Sequence, residues 1–99
     1  MKINIVQDDG CVIFKVKGRL STVTAPDLDE ALSPYLVDRV NLVLDFADLE
    51  YICSAGLRVI LGVQQTIEDE EGTLLVKHCN EEVMEVFEMT GFADFLMFE

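Results

Sequence analysis

The chain is poor in positive charge: seven lysines and arginines stand against 19 aspartates and glutamates in 99 residues, a formal net charge of -12. Such a field repels a phosphodiester backbone and an anionic lipid surface alike, so neither nucleic acid nor membrane headgroups are expected partners. A basic face on another protein is what it would steer in. Cysteine and histidine are equally scarce. Cys11, Cys53 and Cys79 form no CxxC pair, and with His78 as the one histidine they do not make up a usual four-ligand zinc set. The acidic runs lack the glycine-centred spacing of a calcium loop. No metal or cofactor is therefore expected, and the odd, unpaired thiols fit a reducing cytosol. No stretch approaches the roughly 20 apolar residues of a membrane span, and MKINIVQDDG has no apolar run of signal-peptide length, so neither insertion nor export is expected.

What is present is apolar. Hydrophobic residues make up 51% of the sequence, enough for one core and a single domain over residues 1–99. Glycine and proline fall singly, as punctuation between short periodic segments. Residues 3–6 and 11–17 read as two antiparallel strands around the turn Asp8-Asp9-Gly10. Thr24 reads as the cap of a first helix with Pro26, Asp27, Asp29 and Glu30 in its first turn, Leu28, Ala31, Leu32 and Leu36 on one face, and Pro34 ending its regular part. Val40 to Phe46 is apolar and β-branched, the pattern of a central strand covered on both faces. Leu57, Ile60, Leu61 and Ile67 share a stripe over a helix from Ala55 to about Asp69, closed by Gly72. Leu74 to Lys77 reads as a strand, Asn80 as the cap of a third helix with Val83, Val86 and Phe87 inward and Gly91 as its stop, and Phe95 to Phe98 as a last strand. The order ββαβαβαβ describes an α/β domain with a mixed sheet and crossover helices.

In such sheets functional segments lie at the carboxyl ends of strands, which directs attention to the residues after Asp45. Ser54 stands where an N-cap would open the second helix, a structural role worth about 1 kcal/mol. Asp45 either orients the serine loop or caps the N–H groups of its own loop. Arg58, four residues after Ser54, falls on the same helix surface, where it either meets a phosphate on Ser54 or a partner's carboxylate or is a surface arginine with no particular contact. Gly56 would permit close approach of a partner's backbone. For His78 and Cys79 the reading is ordinary packing.

The segment LDFADLEYICSAGLRVIL resembles the signature of the STAS domain of anti-sigma-factor antagonists. Gly18-Arg19-Leu20-Ser21-Thr22-Val23-Thr24-Ala25 is similar to the family's loop before the first helix, and Met89-Thr90-Gly91-Phe92 to the segment closing the third. The resemblance implies a single STAS-like domain that is a binding switch and not an enzyme. It implies phosphorylation of Ser54 by a serine kinase that is itself the anti-sigma factor, and dephosphorylation by a metal-dependent serine phosphatase. The unphosphorylated form would bind the kinase and so free a sigma factor. Ser21, Thr22, Thr24, Cys53, Ala55, Gly56, Leu57 and Arg58 would form the partner surface. Cys53 and Ser21 stand where many antagonists have aspartate. The family commonly adds a helix beyond the last strand, so one sheet face is expected to be less covered here, open to weak homodimerisation of an otherwise monomeric protein. Two rival functions remain at this stage: a constitutive STAS subunit docked on a membrane transporter, and a thiol redox sensor or enzyme built on Cys53 at a helix N-terminus.

Overall fold

In the computed structural model, which describes residues 1–99, the chain opens with β1 (Lys2–Asp8) and β2 (Cys11–Leu20). They pair antiparallel with Asp8 opposite Cys11, so the hairpin loop is the two residues Asp9 and Gly10. Both have positive φ, 49° and 83°, which a tight primed turn requires and which glycine adopts without strain. There follow α1 (Ala25–Leu32), β3 (Asn41–Asp45), β4 (Leu49–Ile52), α2 (Ser54–Asp69), β5 (Thr73–Lys77), α3 (Glu81–Met89) and β6 (Met97–Phe98). The α/β class and the ββαβαβαβ order hold, with β4 added in a stretch read from the sequence as loop. Pro34 acts as expected: α1 stops at Leu32 and the chain continues as a 3-10 turn over Ser33–Tyr35.

The sheet runs β1-β2-β3-β5-β6, with β1 antiparallel and the other pairs parallel. β2 is long enough to pair with β3 through Val12–Lys15 and with β4 through Gly18–Leu20, the second pairing slipping in register between Gly18 and Arg19. Because β2, β3, β5 and β6 succeed one another in one direction across the sheet, right-handed crossovers carry all three helices to the same face. The core lies there: Phe14, Val16, Leu44 and Val76 from the sheet meet Leu28 and Leu32 of α1, Ile60 and Ile67 of α2, and Val83 and Phe87 of α3. Phe14 packs edge-on to Tyr35 at 5.3 Å between centroids, and Phe87 to Phe98 at 5.2 Å.

Three expectations about packing change. β3 is central but covered by helices on one face only; Val43, on the other face, lies outside the core cluster and is shielded by its neighbours within the sheet. On α2 the inward position is Val63 rather than Leu61, which is half-buried. The last strand shrinks to Met97–Phe98, because Phe92–Asp94 forms a 3-10 turn, after which the Phe95 ring lies tilted against that of Phe92 at 5.1 Å between centroids. Gly72 marks where α2 and β5 close on the start of β3: a Cβ there would sit 2.4 Å from the carbonyl oxygen of Val40, so no side chain fits.

Candidate functional site

The site forms where β2 and β4 end side by side. The Cys53 N–H donates to the Leu20 carbonyl at 3.0 Å, tying the start of α2 to the start of the Ser21–Thr24 loop. Inside that loop the Thr24 hydroxyl accepts from the Ser21 N–H at 2.8 Å and donates to the Arg19 carbonyl at 2.7 Å, while the Ser21 carbonyl accepts from the Ala25 N–H at 2.8 Å. Thr24 is thus the N-cap of α1 by position but not by side chain: its hydroxyl is occupied with the loop, and its own backbone is helical (φ -94°, ψ -18°). These bonds close the loop on itself and push Val23, 83% exposed, to its tip.

The N-cap of α2 is Cys53, in extended conformation with its carbonyl accepting from the Leu57 N–H at 3.0 Å; Ser54 is the first helical residue and not the cap. The reason is tertiary. Gly56 is buried, and a Cβ on it would lie 2.6 Å and 2.8 Å from side-chain carbons of Leu20 and 3.1 Å from Ile52, so the first turn of α2 is seated directly on β2 and β4. This corrects the role expected for Gly56: the close approach it permits is to Leu20 and not to a partner. Leu57, 6% exposed, likewise belongs to the core and not to a binding surface. With those two turned inward, Ser54 and Arg58 are exposed, Ala55 and Cys53 are half-buried, and the Thr22 hydroxyl reaches the Cys53 sulfur at 4.0 Å. The structure therefore brings Ser21, Thr22, Thr24, Cys53, Ser54 and Arg58 to one end of the sheet.

Electrostatics at this end are unusual for so acidic a chain. The first turn of α2 carries no acidic residue, whereas those of α1 and α3 carry Asp27 and the pair Glu81 and Glu82. A 16-residue helix thus presents its partial positive end and free N–H groups with no carboxylate of its own to neutralise them. Cys53 reports the field: burial pushes its thiol up, but the N–H groups of Gly56, Ala55 and Cys53 itself, with the Thr22 hydroxyl, outweigh this and leave it below the ordinary thiol value. Cys79, by contrast, is pushed up to about 11 by burial alone.

Asp45 takes the plainer of its two expected roles. Its Oδ1 accepts from the Ala47 N–H at 3.1 Å, shaping the turn between β3 and β4, and from Nδ1 of His78 at 3.0 Å. Burial raises its pKa, but the hydrogen bonds from His78 and Ala47 and the charges of His78 and Lys15 prevail and hold it below the ordinary carboxylate value. His78 is accordingly an exposed hydrogen-bond partner of Asp45, in a left-handed conformation (φ 63°), and not a packing residue as expected. Two features of this end were missed in the sequence: Val23, whose apolar side chain between two threonines was the available signal, and Arg19, whose guanidinium lies 4.4 Å from the Tyr51 ring centroid across the β2–β4 pair.

A family model for the STAS domain matches residues 2–99. The candidate anti-sigma factor antagonist BtrV of Bordetella bronchiseptica is 36% identical over 94 residues, which span 93% of this chain and 80% of that one. The anti-sigma-B factor antagonist of Bacillus subtilis is 24% identical over 96 residues, 97% of this chain and 88% of the relative. The crystal structure of a candidate anti-sigma factor antagonist from Thermotoga maritima superposes with a TM-score of 0.88 at 20% identity, covering 97% of this chain and 84% of that one. No helix here is long and apolar enough to cross a membrane. With a family model matched from Lys2 to the last residue and relatives that are named for one regulatory role, the chain belongs to the STAS domain family of anti-sigma-factor antagonists.

Proposed function

We propose that this protein is a phosphorylation-controlled antagonist: unphosphorylated at Ser54 it binds an anti-sigma factor that is also a serine kinase, and in doing so releases a sigma factor. The kinase transfers the γ-phosphoryl group of ATP to the Ser54 Oγ, leaving ADP and ending the complex. A metal-dependent serine phosphatase restores the switch by hydrolysing the phosphoserine to serine and inorganic phosphate. The observation that carries the reading is an exposed serine at the first position of a 16-residue helix whose first turn holds no acid. A phosphate there adds about -1.5 to -2 charges where the helix dipole and the N–H groups favour an anion, so the fold tolerates the modification. Across an interface the sign reverses, since a dianion about 4 Å from a partner carboxylate costs roughly 2 kcal/mol even at water's dielectric constant. Thr22, Val23, Ser54 and Arg58 would be the residues in contact, with Ser21, Cys53 and Thr24 bracing them from beneath.

Fragmentation mass spectrometry on the protein from its native host locates the phosphate, and binding of purified variants to the host's serine kinase tests its effect. Ser54→Ala should keep binding and Ser54→Asp should lose it by more than tenfold, at closely similar melting temperatures. An unmodified Ser54 under every growth and stress condition, or equal binding by both variants, would remove the switch and leave a constitutive docking subunit.

A further inference from the structure

The face of the sheet opposite the helices carries a second ordered surface. On it, residues paired in register form rows across the strands. Val6, Ile13, Val43, Leu75 and Met97 are consecutive Cα partners from β1 through β6, an apolar row crossing the whole sheet. No helix packs on it, and its members lie outside the core cluster: Val43 is shielded by its neighbours within the sheet, Val6, Ile13 and Leu75 are half-buried, and Met97 is 59% exposed. The next row is Asn4, Lys15, Asp45 and Lys77, and beyond it Lys2 is paired with Lys17.

All four lysines of the chain therefore stand on this one face, along one side of the apolar row. Two of them, Lys2 and Lys17, are direct cross-strand partners, an arrangement of like charges that destabilises a sheet. Lys77 pairs with Glu99 and Asp45 is hydrogen-bonded by His78, while Lys2, Lys15 and Lys17 have no carboxylate within 4.0 Å among 19 acidic residues. The three line an open groove of about 680 Å³ with Ile3, Asn4, Val16, Asp45, Ala47 and Asp48. Asp45 is already engaged by His78 and the Ala47 N–H, which leaves Asp48 as the one free carboxylate of the groove. In a protein of net charge -12, unpaired lysines gathered beside an apolar row that no helix covers are complementary to an occupant that is acidic and apolar at once.

We propose that this face is a docking surface for an acidic amphipathic helix of a partner protein, its apolar stripe on the row from Val6 to Met97 and its carboxylates in the groove of Lys2, Lys15 and Lys17. Four strand spacings of about 4.8 Å make the row roughly 19 Å long, the length of about 13 helical residues. A small anion would satisfy the lysines but leave the apolar row in water, and the net charge opposes an anionic membrane. The surface is distinct from the one around Ser54, so two partners can be held together.

The probe is a synthetic 14-residue helical peptide with leucines along one stripe and glutamates along one flank, titrated into the isotope-labelled protein and followed by amide chemical shifts. Shifts should fall on Val6, Ile13, Val43, Leu75, Lys15 and Lys17. The double variant Lys15→Glu, Lys17→Glu should weaken binding by on the order of tenfold or more, and Lys15→Gln, Lys17→Gln by less. Ser54→Asp should bind the peptide unchanged, which separates this surface from the switch. Any of several results overturns the proposal: no shifts at millimolar peptide, equal binding of a peptide with lysines in place of the glutamates, or the same shifts produced by inorganic phosphate. So does a dimer in analytical ultracentrifugation that Met97→Asp dissolves, because a second copy would then own the face.

Discussion

Replacing Gly56 by alanine tests whether the seat of α2 on β2 is what presents Ser54. The added Cβ would fall 2.6 Å from Cγ and 2.8 Å from Cδ2 of Leu20 and 3.1 Å from Ile52, where carbon atoms in contact prefer about 3.5–4.0 Å. Leu20 is fully buried and Ile52 nearly so, so neither has free space to move into. The helix end must lift by up to about 1 Å, an overpacking that typically costs ~1–3 kcal/mol. Alanine returns about 1 kcal/mol through helix propensity, so the net loss is up to about 2 kcal/mol. In a domain of this size each kcal/mol moves the melting temperature by roughly 4–8 °C. Gly62, on the same helix with nothing within 4 Å of its would-be Cβ, is the internal control: Gly62→Ala should gain about 0.5–1 kcal/mol. Thermal melts of both variants read the two signs, and kinase binding by Gly56→Ala should weaken beyond what its folded fraction explains. If Gly56→Ala melts at or above the unsubstituted protein, the steric account of where α2 begins is wrong.

Asn80 holds two elements at once, its Oδ1 accepting from the Val83 N–H at 2.8 Å and its Nδ2 donating to the Leu49 carbonyl at 3.0 Å. Asn80→Ala should cost about 1–2 kcal/mol in denaturant unfolding and Asn80→Asp, which keeps the cap but loses the donor, less than that. Because the folded-state pKa of Asp45 is lowered, its contribution to stability is present above the ordinary value of 3.8 and is lost as the pH falls through the depressed one. Asp45→Asn should therefore flatten the acid limb of a stability–pH curve, and an unchanged limb would show that the His78 contact is inert. Of the two thiols at strand ends, Cys53 should be alkylated near neutral pH well before Cys79, whose pKa of about 11 leaves almost no thiolate; faster labelling of Cys79 would contradict both environments.

What the sequence disclosed and what it withheld divide along the range of the forces involved. The hairpin at Asp9-Gly10, the end of α1 before Pro34 and the cap at Asn80 are set within a few residues, by φ preferences and by a side chain bonding its own helix, and each is legible from the string. β4 is not, because Leu49-Glu50-Tyr51-Ile52 becomes a strand only through pairing with Gly18–Leu20, some thirty residues away. The start of α2 escapes the local rules for the same reason: a serine is the better cap by local rule, but Gly56 packed on Leu20 and the Cys53 N–H bonded to the Leu20 carbonyl fix the first turn one residue earlier. That single step matters for function. At the cap position the hydroxyl of Ser54 would be committed to the first-turn N–H groups; as the first helical residue it is exposed and available. The same tertiary contact turns Gly56 and Leu57 inward, so the proposed binding surface would be smaller than the contiguous motif implies and would draw on Thr22 and Val23 of the other loop. The open face follows from the strand order, which the string does not state: with every parallel strand added in the same direction, right-handed crossovers leave one face bare. The lysines spaced by two along β2 then mark that face as solvent-facing.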